Sequence, residues 1–364
     1  VKTTCSLFKS FLLPALFVTV IQPSLLTNAI ADSWNGSNDP TLMGAYELRF
    51  SALPLKGTLT AEKMPWSETF WPNKAGSINL RWNQAIPTGF NDRSPTATEA
   101  KSMTREELAR LSPSEKYDLY MGRYDYPLKN EVKEIASTRA KWWAGVCDGW
   151  APIALQYFEP KPVDAVNPDG ISIPFGSSDI KGLMSYFAAK KAKFETQQVG
   201  LRCNPASRVF GRASCNDINA GALHVVLANQ LGILKEGFVM ERDPGPQIWN
   251  QPVYGYESQV IGSAKTSTRQ ASRAVLVRTT IFYADELDQS QWEPVTGTAA
   301  FKVGTLNTTY SLDLDSQGNI MGGEYQSSQR PDFVWKTTKK VVFDGYFDGL
   351  NRLYQAVAPS TQIQ

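Results

Sequence analysis

The sequence predicts an α+β protein, and three observations carry that prediction. Two capping boxes, Thr104-Arg105-Glu106-Glu107 and Ser112-Pro113-Ser114-Glu115, open short helices in the middle of the chain. The stretch after Cys147, with Trp150, Ala151, Ile153, Ala154, Leu155, Tyr157 and Phe158, is apolar enough for a buried helix that tolerates Pro152 only in its first turn. Residues 274–284, Ala-Val-Leu-Val-Arg-Thr-Thr-Ile-Phe-Tyr-Ala, begin a strand-rich C-terminal region. Helices and strands are therefore segregated along the chain rather than alternating. With 364 residues, of which 42% are hydrophobic, there is ample material for a core.

Residues 1–31 read as a secretory signal. Lys2 and Lys9 supply positive charge, an apolar run follows from about Phe11 to Leu26, and Ala29-Ile30-Ala31 fits a small-x-small cleavage site. An uncleaved anchor is the rival, but Pro14 and Pro23 interrupt the run. Cleavage directs the mature chain outside the cell or to the periplasm, with membrane contact only through the signal. Lys+Arg number 37 against 35 Asp+Glu. Because the signal holds two lysines and no acid, the mature chain is neutral, and a nucleic-acid partner has no electrostatic support. Residues 32–100, rich in Trp, Pro and turn residues, form an expected N-terminal module; 101–262 form the core and 263–364 a strand-rich C-terminal domain.

The chemistry is narrowed by two counts, 4 cysteines and 1 histidine. Cys5 leaves with the signal. Cys203 and Cys215 bracket a short loop and are the natural disulfide pair in an oxidising compartment, which leaves Cys147 free. A lone cysteine is ordinarily core packing. Here it stands in Gly145-Val146-Cys147-Asp148-Gly149-Trp150 at the entrance of the apolar helix, where free backbone N–H groups and the helix dipole favour thiolate and stabilise an oxyanion. Any imidazole chemistry must run through His224. Its surroundings, Leu223, Leu227 and Leu231 followed by Gly232, suit a helix, whereas His-Val-Val-Leu suits a strand equally. A helix-entry cysteine followed by one histidine and then polar candidates is the chain order of papain-like and transglutaminase-like enzymes. Three residues compete to orient the imidazole: Asp243, at the end of a strand-like Phe238–Asp243 run, then Asn250, then Asp217.

A cation site is a further candidate. Asp313-Leu314-Asp315-Ser316-Gln317-Gly318-Asn319 through Glu324 matches several EF-hand loop positions, with Asp313, Asp315 and Glu324 as ligands. No helix precedes it, so a β-hairpin turning at residues 316–319 is the favoured reading.

The run Ile248-Trp249-Asn250-Gln251-Pro252-Val253-Tyr254-Gly255-Tyr256-Glu257 resembles the peptide signature Val-Trp-Asn-Gln-Pro-Val-x-Gly-Phe of the secreted oomycete transglutaminase elicitors, a family with relatives in marine bacteria. The Gly-Val-Cys-x-Gly-Trp-Ala run is similar to the Cys motif of transglutaminase-like enzymes, and Pro65-Trp66-Ser67, Trp71-Pro72 and Arg81-Trp82 resemble N-terminal segments of the elicitor family. Tyr254 stands where the oomycete signature has Arg, and Ser258-Gln259 depart from its Val-Tyr end.

The resemblance implies a papain-like core, calcium dependence and cross-linking of protein glutamine to lysine or a polyamine, with no organic cofactor. Cys147 would form the thioester, His224 would carry protons, and Asp243 or Asn250 would orient it. Trp249, Gln251 and Trp150 would shape the site. A papain-like hydrolase using water, and a catalytically silent elicitor or binding protein, are the alternative functions.

Overall fold

The computed structural model describes residues 34, 36–83, 89–202 and 217–357. The expected signal, Cys5 and the expected Cys203–Cys215 disulfide lie outside the described residues.

Local signals are realised where they were strongest. Helices α1 (Ala97–Ser102), α2 (Arg105–Ala109) and α3 (Pro113–Tyr120) each begin with a complete capping box, built on Thr96/Glu99, Thr104/Glu107 and Ser112/Glu115. Helix α4 spans Pro127–Ile135, α5 spans Cys147–Gln156, α6 spans Ser177–Lys190, α7 spans Ala220–Leu227 and α8 spans Asp348–Val357. Pro152 lies in the second turn of α5, one turn deeper than its missing N–H favours. His224 lies on helix, not strand, and α7 passes into a π-helical turn, Ala228–Leu234.

The strands are β1 (Lys56–Thr58), β2 (Val163–Val166), β3 (Ser172–Phe175), β4 (Thr196–Gly200), β5 (Phe238–Glu241), β6 (Asn250–Ala264), β7 (Arg273–Ala284), β8 (Val303–Leu314), β9 (Ile320–Tyr325) and β10 (Phe333–Thr337). Strands β2 and β3 pair with each other, and the other described strands join one antiparallel sheet. Its order is β4-β10-β5-β6-β7-β8-β9, with β1 paired to β6.

This sheet crosses the expected module boundaries. It recruits β1 from the N-terminal module, β6 runs straight through the expected break after residue 262, and β10 from the C-terminal region inserts between β4 and β5. Backbone pairing between distant segments leaves no local periodicity to read, so the boundaries drawn from composition do not separate structural units.

Side chains alternate across the sheet and so assign its two faces. Val239 of β5 and Trp335 of β10 are register partners and pack against Ala151 of α5. Their neighbours Met240 and Val334 are also partners, and they join Leu223, Val226 and Leu227 of α7 in a second core. Helix α5 therefore covers one face and α7 the other. A separate, helical core unites α3 to α6 and α8 around Trp66, Trp71, Trp150, Ile180 and Leu183.

Candidate active site

Helix α5 is positioned by contacts too close for any other arrangement. A Cβ on Gly149 would stand 2.0 Å from the Ser185 carbonyl oxygen of α6, so glycine lets the two helices touch. Trp150, with no exposed surface, donates its indole N–H to the Trp66 carbonyl at 3.1 Å. It is an anchor in the core and not a wall of the site. The first residue of this fixed helix is Cys147, 5% exposed.

Cys147 lies in a cleft of about 530 Å³ with Asp148, Trp143, Phe194, Asn250 and Trp335 among its walls. The thiol donates to the Ile248 carbonyl at 3.7 Å, and the Asn250 side-chain Nδ2 donates to Sγ at 4.0 Å. Asn250 is held in turn: its Oδ1 accepts the Trp335 indole N–H at 2.9 Å, and Trp335 stacks on Phe194. Asn250 pairs with Glu241 at the start of β6, which puts it on the sheet face that α5 covers. Burial, reinforced by the Asp148 carboxylate, pushes the thiol up to about 12, against the lowering effect of the Asn250 hydrogen bonds. In this conformation, burial outweighs the helix-entry effect expected to favour thiolate.

His224 does not meet this cleft. It projects from α7 on the opposite face of the sheet, fully buried, between Phe50 and Tyr310. Its Nδ1 is 2.9 Å from the Tyr310 hydroxyl, and its Nε2 has no partner. Burial lowers its pKa to about 4, so the ring is neutral. Asp243 also fails to orient it: the carboxylate accepts the Gly245 N–H at 2.7 Å and turns the loop between β5 and β6. The expected Cys147–His224–Asp243 triad is therefore not assembled, because a sheet stands between the thiol and the imidazole. Asp217, the weaker candidate, pairs with Arg330 at 2.5 Å.

The remaining expected residues divide. Trp249 packs edge-on to Phe70 and beside Trp142, with the Arg242 guanidinium 5.6 Å from its ring, and lines an adjoining pocket. Gln251 points to the face opposite Asn250 and donates to Glu286 at 2.6 Å. The EF-hand pattern resolves into the β8–β9 hairpin. The Asp313 carboxylate accepts from Ser267, Asp315 accepts the Gln317 and Asn319 N–H groups, and Glu324 faces solvent. Among the described residues no group of three or more His, Cys, Asp or Glu is placed to hold a metal.

Two contributors were missed. Trp335 gave no signal, since only the insertion of β10 brings it to Asn250. Glu241, wholly buried, accepts the Trp249 N–H at 2.8 Å and the Asp243 N–H at 3.2 Å, clamping both ends of the loop that delivers Ile248 and Asn250 to the thiol. Burial pushes its carboxyl up to about 8.

A family model described as transglutaminase elicitor matches residues 43–347. The chain belongs to the transglutaminase elicitor family. Among solved structures, the GP42 transglutaminase from Phytophthora sojae is similar in fold, with a TM-score of 0.66 at 20% identity, covering 90% of this chain and 99% of that one. Comparison with curated proteins finds no significant match. In this member of the elicitor family, both Cys147 and the signature-like segment beginning at Ile248 converge on one cleft.

Proposed function

We propose that the chain is a transglutaminase-type acyltransferase acting, after secretion, through Cys147. The observation that carries this reading is the cleft itself, in which a helix-entry thiol faces an asparagine amide fixed by Trp335. A helix that starts at the nucleophile and packs on an antiparallel sheet also supports the papain-like description.

Sγ attacks the γ-carboxamide carbon of a glutamine, forming the C–S bond of a thioester while ammonia leaves with the thiol proton. A lysine or other amine then attacks the thioester carbon, forms the isopeptide bond and returns a proton to sulfur. The exchange is proton-neutral overall, so a local carrier suffices. Asp148, the carboxylate that lines the cleft beside Cys147, is the group available there. First-turn N–H groups of α5 face the developing oxyanion. Calcium dependence is implied by the family resemblance alone, and comparing activity with calcium and with chelator tests it.

A second reading, a catalytically silent peptide-binding protein, is favoured by the placement of His224 across the sheet and by the neutral thiol. Incubating the full chain with a glutamine donor and a fluorescent amine, with calcium and with chelator, separates the two. Amine incorporation that disappears in Cys147→Ala supports the acyltransferase; ammonia release without incorporation makes it a hydrolase. Neither product selects the silent binder.

A further inference from the structure

Helix α5 has a second end. At its C-terminus, near Gln156, a groove of about 570 Å³ opens between the helix, the start of β5 and the end of β10 with the residues that follow it. Five lysines line it, Lys63, Lys235, Lys336, Lys339 and Lys340, against one acid, Glu236. Among the described residues the only ion pair any of them makes is Lys336–Glu236, at 3.9 Å. In a chain whose net charge is only +2, this is a concentrated positive site.

Two of the lysines are held by contacts of their ammonium groups. Lys340 Nζ sits 4.4 Å from the Tyr157 ring centre, and Lys63 Nζ donates to the Lys235 carbonyl at 3.5 Å. Lys235 adopts φ +56° where the π-helical turn ends, a position at which glycine is the unstrained residue.

We propose that this groove is a docking site for an acidic polypeptide segment of the protein substrate. Its lining contains no aromatic ring or arginine on which a nucleobase or sugar would stack. It is concave, which a flat lipid surface does not fill. Between the lysines lies an apolar floor of Leu59, Pro152, Leu155 and Val239, which takes the side chains that alternate with carboxylates in a peptide. The ten residues of α5 set the groove about 15 Å from the cleft at about 1.5 Å per residue. An extended peptide covers that span in roughly four to six residues. The preferred glutamine is then one with an acidic run about that far along the chain. This rests on the acyltransferase reading for its meaning, but docking is measured without it.

The test uses the full chain carrying Cys147→Ala and a fluorescent peptide bearing one glutamine and an acidic run five residues away, read by anisotropy. Binding is expected to weaken with salt, and roughly tenfold or more in Lys235→Gly combined with Lys339→Glu and Lys340→Glu. Lys235→Gly removes charge at a backbone position that suits glycine, and an unchanged denaturation midpoint of the triple variant separates lost docking from lost folding. In the active chain the acidic run should lower KM for the glutamine peptide and leave kcat unchanged. Undiminished binding by the triple variant overturns the proposal, as does binding of polyphosphate or anionic vesicles but not of the peptide. If the peptide docks through the lysines and no amine is incorporated, the docking site stands and the acyltransferase reading falls.

Discussion

At the scale of single residues, the thiol of Cys147 is fully engaged: its hydrogen goes to Ile248 and its lone pair receives Asn250. With its pKa pushed up to about 12, little thiolate exists at neutral pH. Alkylation of Cys147 by iodoacetamide, followed by peptide mass spectrometry, should therefore run more than tenfold slower at pH 8 in the folded chain than in the unfolded chain, and should accelerate as pH rises. Equal rates would show the thiol to be activated. His224 calls for the opposite test. Its folded pKa of about 4 lies below the unfolded value, so it supports stability fully above about pH 6.5 and loses that support as pH falls towards 4, by about 3 kcal/mol. His224→Gln should flatten the pH dependence of the denaturation midpoint across that window while keeping amine incorporation within about tenfold of the parent. Abolition of transfer in a folded variant would return the imidazole to the reaction.

At the scale of elements, the capping boxes of α2 and α3, the hairpin at residues 316–319 and the helix after Cys147 were legible because each depends on neighbours within a few residues. The triad was not. Chain order placed His224 after Cys147 as a nucleophile and base would be, but whether two elements share a sheet face depends on register, and register is fixed by pairing between distant strands. Asn250 was named as a competitor for its amide; its actual contact is with sulfur itself, and the tryptophan that holds it carried no pattern. The α5–α6 contact makes a sharp prediction. Gly149→Ala drives a methyl into the Ser185 carbonyl and the Ala189 backbone, so the helices must part. Denaturant unfolding should show a loss of about 1–3 kcal/mol, with Cys147 becoming more readily alkylated. An unchanged midpoint would mean that α5 has room to shift.

At the scale of the whole molecule, one sheet drawn from all three expected modules forbids dividing the chain at 100 and 262. A fragment of residues 101–262 lacks β1, the end of β6 and every described strand after it, including β10, which separates β4 from β5. Expressed alone, it should show no cooperative thermal transition, whereas the chain from residue 32 onward should unfold in one. Cooperative melting of the fragment would establish an autonomous core.

The insertion of β10 also sets an order in time. A polypeptide emerging N-terminus first presents Cys147, then β4 and β5, long before residues 333–337 exist to lie between them. Until then the two strands carry open edges towards each other, and premature pairing of those edges would shut out the late arrival. Trp335 comes with that last strand, so the asparagine that addresses the thiol gains its anchor only when the sheet closes. Completion of the nucleophile's surroundings is thus tied to the end of synthesis, and a nascent or C-terminally clipped chain carries the cysteine without the residue that organises its partner.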